Sequence, residues 1–145
     1  MTCGARGARL VVLASLAFAG CSSARDDADA SFPQAPLTTV TSRDGKLHVA
    51  AFTAPEQPPT RGVIRVKLVV TDAARGAPVD GLAMDIVPEM PSMGHGTPTV
   101  PRVTAQGDGT YLAEDVNLFM AGRWDLRVTI TGGQSDVAVV TIDAR

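Results

Sequence analysis

Three features of the sequence predict an all-β fold, an antiparallel sandwich of seven short strands. Apolar and polar residues alternate with period two in several segments beyond residue 45. Turn-forming clusters of Gly, Pro, Asp and Gln separate those segments at regular intervals. No stretch there shows a convincing helical period. Strands of this length at this spacing are the pattern of a seven-stranded antiparallel immunoglobulin-like β-sandwich.

The first predicted strand is "KLHVAAF", Lys46 to Phe52. The turn segment "APEQPPTRG" follows, then "VIRVKLVVTD". In the second strand Ile64, Val66, Leu68 and Val70 alternate with Arg65, Lys67, Val69 and Thr71, so one face is set for burial. "ARGAPVDG" is a loop. "LAMDIVPEM" is the third strand, with Leu82, Met84 and Ile86 on one side and Ala83 and Asp85 on the other. "TVPRVTA" is a short fourth strand that its proline limits to a sheet edge. Asp108-Gly109 is a strong hairpin signal leading to "YLAEDV", the fifth. "RWDLRVTI" places Trp124, Leu126, Val128 and Ile130 on one face, with Trp124 as a core residue. Gly132-Gly133 turns the chain into the last strand, "SDVAVVTID".

The chain divides into residues 1–20, 21–44 and 45–145. In the first part Arg6 and Arg9 precede the apolar run "LVVLASLAFA", which is too short to span a bilayer comfortably. The run ends in "FAGC" at Cys21. This start resembles a bacterial lipoprotein signal peptide, which implies acylation of Cys21 as the mature N-terminus and a membrane anchor made of lipid. Ser22 rather than aspartate follows the cysteine; in such lipoproteins the lack of aspartate at that position implies the outer membrane, with the domain facing the periplasm. Cys3 would leave with the signal and lipidation would consume the thiol of Cys21, so no disulfide could form. Residues 21–44 are polar and broken by Pro33 and Pro36, the composition of a flexible tether.

Charge excludes one class of partner. The whole chain has 13 Lys and Arg against 15 Asp and Glu. A mildly acidic exported domain has no electrostatic case for nucleic acid. Nor is there a catalytic signature: neither G-x-S-x-G nor H-E-x-x-H occurs, and the acidic residues form no evident pair. The chain reads as a non-enzyme. Of its two histidines, His48 falls on the first predicted strand as a surface residue.

The chemistry concentrates in "PEMPSMGHGTP", Pro88 to Pro98, where Met90, Met93 and His95 sit among prolines and glycines. Such a loop lies at the surface, whereas methionine usually fills gaps in a core. This is the third connection of the sandwich, and "NLFMAG", which contains Met120, is the fifth. In a Greek-key sandwich of this kind the first, third and fifth connections gather at one pole. Met90, Met93, His95 and Met120 therefore form a candidate metal site. Thioethers are soft ligands that select Cu(I), and imidazole also suits copper. Zinc fits less well, since it favours thiolate, imidazole and carboxylate, and Glu89 is the one carboxylate nearby in the loop. The alternative is structural: Met90 and Met120 cap the open end of the sandwich, and the pole is an interaction module that docks a membrane protein partner.

"PEMPSMGHG" together with "GDGTYLAEDVNLFMAGRWDLRVTI" resembles the YtkA-like domain, which is related to the FixH family. Met90, Pro91, Met93, Gly94 and His95 match the first element of its pattern. Gly109 and Tyr111 match the second, and Met120, Gly122 and Trp124 the third. The resemblance covers roughly Val63 to Ile142. It implies an exported or membrane-anchored β-sandwich in a copper context, either cuproprotein assembly or metal efflux. The partner it implies is accordingly a cuproprotein or a metal-efflux assembly. The expected activity is that of a Cu(I) carrier or buffer.

Overall fold

The computed structural model describes residues 32–145; the expected signal peptide and Cys21 lie outside the described residues. Nine strands form two antiparallel sheets, and the described residues contain no helix. Consequently no helix among them is long and apolar enough to cross a membrane. One sheet has the order β1-β2-β3-β7-β6 and the other β5-β4-β8-β9. Their ranges are β1 Thr38–Thr41, β2 Leu47–Ala54, β3 Gly62–Asp72, β4 Leu82–Met90 and β5 His95–Gly96. The chain continues with β6 Arg102–Gly107, β7 Thr110–Leu118, β8 Gly122–Gly132 and β9 Asp136–Ala144.

The seven predicted strands are β2, β3, β4, β6, β7, β8 and β9. The count of seven is corrected to nine by β1 and β5. Thr38–Thr41 pairs with Ala51 through His48 along the edge of β2, although its own residues are mostly polar. β5 is two residues long and pairs Met90 with His95 and Glu89 with Gly96. The folded unit also begins ahead of residue 45. Phe32 is buried against Phe52 and Ala54 on the outer face of the first sheet, with the Arg65 guanidinium and the Lys67 ammonium over its ring at 5.5 and 5.2 Å. The described part of the expected tether is thus folded onto the domain.

Period-two alternation builds the core. Ile64, Val66, Leu68 and Val70 of β3 and Trp124, Leu126, Val128 and Ile130 of β8 all face inward and are buried. They join residues of β2, β4, β7 and β9 in one apolar cluster that both sheets share. The Asp108-Gly109 turn between β6 and β7 has both residues at positive φ, 51° and 68°, as a type I′ hairpin requires. A Cβ on Gly109 would lie 2.5 Å from the Val70 carbonyl oxygen, so the position has no room for a side chain.

A bulge in β7 sets up the functional end. Ile64 pairs with Val116 and Val66 with Ala113, which leaves one extra residue on β7, and Asp115 has φ 61°. Before the bulge Tyr111 and Ala113 face the core; after it Val116 and Leu118 do. The change of parity keeps the strand apolar inward to its last residue and fixes how Phe119 and Met120 leave it.

Candidate metal centre

The Pro88–Pro98 segment is a tight hairpin between β4 and β5. The Met90 carbonyl accepts the N–H groups of Met93 and Gly94 at 3.0 and 3.1 Å. Gly94 takes φ +68°, a conformation that favours glycine. Pairing then resumes at His95. Gly96 is required there, since a Cβ would lie 2.6 Å from the Pro88 carbonyl oxygen. The four-residue turn Pro91–Gly94 puts Met93 on its outer side, 51% exposed. His95 is likewise exposed.

Met90 differs from the display that loop composition suggests. It is the last residue of β4 and continues the inward set of Leu82, Ile86 and Pro88, so it is only 3% exposed. Its Cε points toward Gly122, where an added Cβ would meet it at 3.1 Å. Met90 is a core residue at the floor of the pole.

The β7–β8 connection arrives at the same end. Gly62 of β3 pairs with Leu118, and Gly122 pairs with Ala144. Met120 is half-buried against the core. Its carbonyl oxygen accepts the indole N–H of the wholly buried Trp124 at 2.9 Å, which ties the connection to the core. Phe119 is 40% exposed. Its ring stacks on the His95 imidazole with centroids 6.0 Å apart and planes inclined 12°. The edge contact of Phe119 with Trp124 is 5.3 Å between centroids at 74°. The two loops therefore meet in two places, His95 on Phe119 and Met90 by Gly122.

The donors gathered here are soft. Among the described residues no group of three or more His, Cys, Asp or Glu side chains could hold a metal ion. Glu89 is engaged by Arg127 at 3.3 Å. His48 lies at the other end of β2, where its Nδ1 is 3.1 Å from the Thr41 hydroxyl. The pole combines one imidazole with two accessible or half-buried thioethers and a third beneath them. That donor set fits a soft monovalent ion and lacks the carboxylates and thiolates of a zinc site.

Sequence reasoning missed Phe119. Its only signal is a large apolar residue directly after the inward Leu118, where alternation leaves it no place in the core.

A model of the family described as YtkA-like matches residues 45–129. Among solved structures the chain is similar to a copper-bound variant of FetP from uropathogenic Escherichia coli strain F11. The two share 9% sequence identity at a TM-score of 0.45, over 76% of this chain and 93% of that one. No curated protein matches the chain.

Proposed function

The chain belongs to the YtkA-like family, and from that premise we propose that it is a membrane-anchored extracytoplasmic protein that carries or buffers Cu(I). Its task in this reading is copper homeostasis or cuproprotein assembly. One observation carries the proposal. The β4–β5 and β7–β8 connections touch through the His95–Phe119 stack, so Met93, His95 and Met120 share one end of the domain. Neutral thioethers bind Cu(I) in an oxidising compartment, where paired thiols tend to close as disulfides. In this reading Met93, His95 and Met120 are the donors, and Met90 closes the floor below them.

The lipid anchor belongs to the same proposal. Acylation of Cys21 would hold the domain at the outer membrane facing the periplasm, within reach of a cuproprotein or a metal-efflux partner. A Cys21→Ser variant would then leave the membrane fraction. The domain itself is read as immunoglobulin-like. The partition of its seven long strands into β2-β3-β7-β6 and β4-β8-β9 supports this, being the four-plus-three order of a constant-type sandwich. No catalytic role is assigned.

A second reading draws on the exposure of Met93 and Phe119: the pole docks a membrane protein partner without metal. Anaerobic competition of the purified full chain against a chromogenic Cu(I) chelator separates the two. The copper reading expects one equivalent withdrawn from the chelator. It also expects weaker withdrawal by Met93→Ala and Met120→Ala variants that melt as the wild type does. Wild-type protein that takes no copper leaves the docking reading in its place.

A further inference from the structure

A ligating histidine is almost always held by a hydrogen bond from its second ring nitrogen to a carboxylate, a carbonyl or a water. That partner fixes the plane of the ring and its tautomer. Among the described residues no carboxylate or carbonyl hydrogen-bonds the ring of His95. What His95 has instead is the face of Phe119, nearly parallel at 6.0 Å.

Phe119 is itself held from below. Its ring meets Trp124, which is wholly buried. The Trp124 indole N–H anchors the carbonyl of Met120, the next residue along the chain. Three rings thus run from the core to the surface, Trp124 to Phe119 to His95, and the backbone of Met120 hangs from the innermost one. A lone exposed phenylalanine calls for no explanation. One that is backed by a buried indole and stacks offset against an imidazole limits the orientations open to that ring.

We propose that Phe119 is the positioning residue of the pole, holding the His95 imidazole by stacking where other sites use a hydrogen bond. The proposal rests on the Cu(I) reading above and adds the residue that preorganises the site. Phe119 need not touch the metal. It acts by limiting the orientations His95 must give up on binding, which is how preorganisation raises affinity.

The test uses the full chain and four proteins: wild type, Phe119→Leu, Phe119→Tyr and His95→Ala, with the Phe119→Leu/His95→Ala double variant to close the cycle. The first readout is metal-free. The imidazole proton resonances of His95 should be displaced by the ring current of Phe119, and Phe119→Leu should return them to ordinary positions. The second is Cu(I) affinity by chelator competition. An aromatic pair is worth enough that Phe119→Leu should weaken binding about 3- to 10-fold. Phe119→Tyr, which keeps the ring, should bind as wild type does. In the His95→Ala background Phe119→Leu should cost nothing further, because its partner is already gone. A purely structural role would weaken both backgrounds alike. Phe119→Leu that binds as tightly as wild type, or that loses as much without His95 as with it, overturns the positioning role while leaving Cu(I) binding intact. A wild type that binds no Cu(I) overturns the copper reading and the role of Phe119 with it, even if the ring-current shift is present.

Discussion

The indole nitrogen of Trp124 lies 2.9 Å from the carbonyl oxygen of Met120 and donates its hydrogen to it. One side chain therefore serves both the core and the pole. The ring is fully buried in the cluster shared by the two sheets, and its N–H ends the β7–β8 connection on a fixed backbone.

Two substitutions separate these roles. Trp124→Ala removes a buried aromatic, a change that typically costs about 3–5 kcal/mol. Against a total stability of about 5–15 kcal/mol this is severe. Trp124→Phe keeps most of the packing but leaves the Met120 carbonyl without its donor, for a smaller loss of about 1–3 kcal/mol. Urea denaturation should show both in this order. A Trp124→Phe variant with the stability of wild type would mean that the hydrogen bond to Met120 carries no weight.

Gly122 should tolerate no side chain, because of its backbone. It has φ +129°, a region that side chains avoid, and strain of that kind costs about 1–3 kcal/mol. The approach of an added Cβ to Met90 Cε at 3.1 Å is a lesser matter, since the methyl group is the free end of a flexible side chain. Gly122→Ala should therefore lower the thermal midpoint, and shortening Met90 in the same chain should not restore it. Recovery in the double variant would shift the cause to the contact.

Asp136 ties the start of β9 to the turn after β1, at the end of the domain away from Met90, Met93 and Met120. Burial alone would raise its pKa. The Ser42 hydroxyl, the N–H groups of Asp44 and Val137 and the charge of Lys46 outweigh that and hold it below the ordinary carboxylate value. The N–H groups lie 3.1 and 2.7 Å from its Oδ1. A depressed carboxylate stabilises the fold above its unfolded pKa of about 3.9, and the contribution is lost as pH falls through the folded value. Asp136→Asn should consequently be less stable than wild type at neutral pH, by an amount that is constant down to about pH 5 and shrinks below about pH 4. Parallel stability curves across that window would show that the ionised form contributes nothing.

The sheets were legible because their strands repeat with period two. Ile64 to Val70 and Trp124 to Ile130 face the core as their alternation requires, and Asp108-Gly109 turns as its residue types require. β1 was not legible, because Thr38–Thr41 is an edge strand whose pattern of partial burial asks for no apolar run. β5 was not legible because two residues have no period. The bulge at Asp115 shows in the sequence only as the adjacent Glu114 and Asp115, across which the apolar positions change parity, and it is what releases Phe119 from the core alternation. At the pole, the meeting of the two loops followed from strand order alone. The burial of Met90 was legible too: Leu82, Ile86, Pro88 and Met90 are one inward set, and the prolines and glycines beyond it suggested display instead.

That last point separates the four residues at the pole. Met90 is 3% exposed and belongs to the core cluster, whereas Met93 is 51% exposed and Met120 is only partly buried against the core. Met90→Ala should cost about 2–5 kcal/mol, as for other buried methionines cut to alanine. Met90→Leu keeps the volume and should cost under about 1.5 kcal/mol. If Met90 is the floor of the site and Met93 a donor, Met90→Leu should retain wild-type Cu(I) affinity, and Met93→Leu should lose affinity at unchanged stability. Leucine is the informative replacement because it removes the sulfur and little else. Denaturation midpoints and chelator competition on the same protein samples read the two effects apart. A Met90→Leu variant that folds as wild type does but binds Cu(I) as weakly as Met93→Leu would make the buried thioether a ligand, reached by opening of the β4–β5 turn.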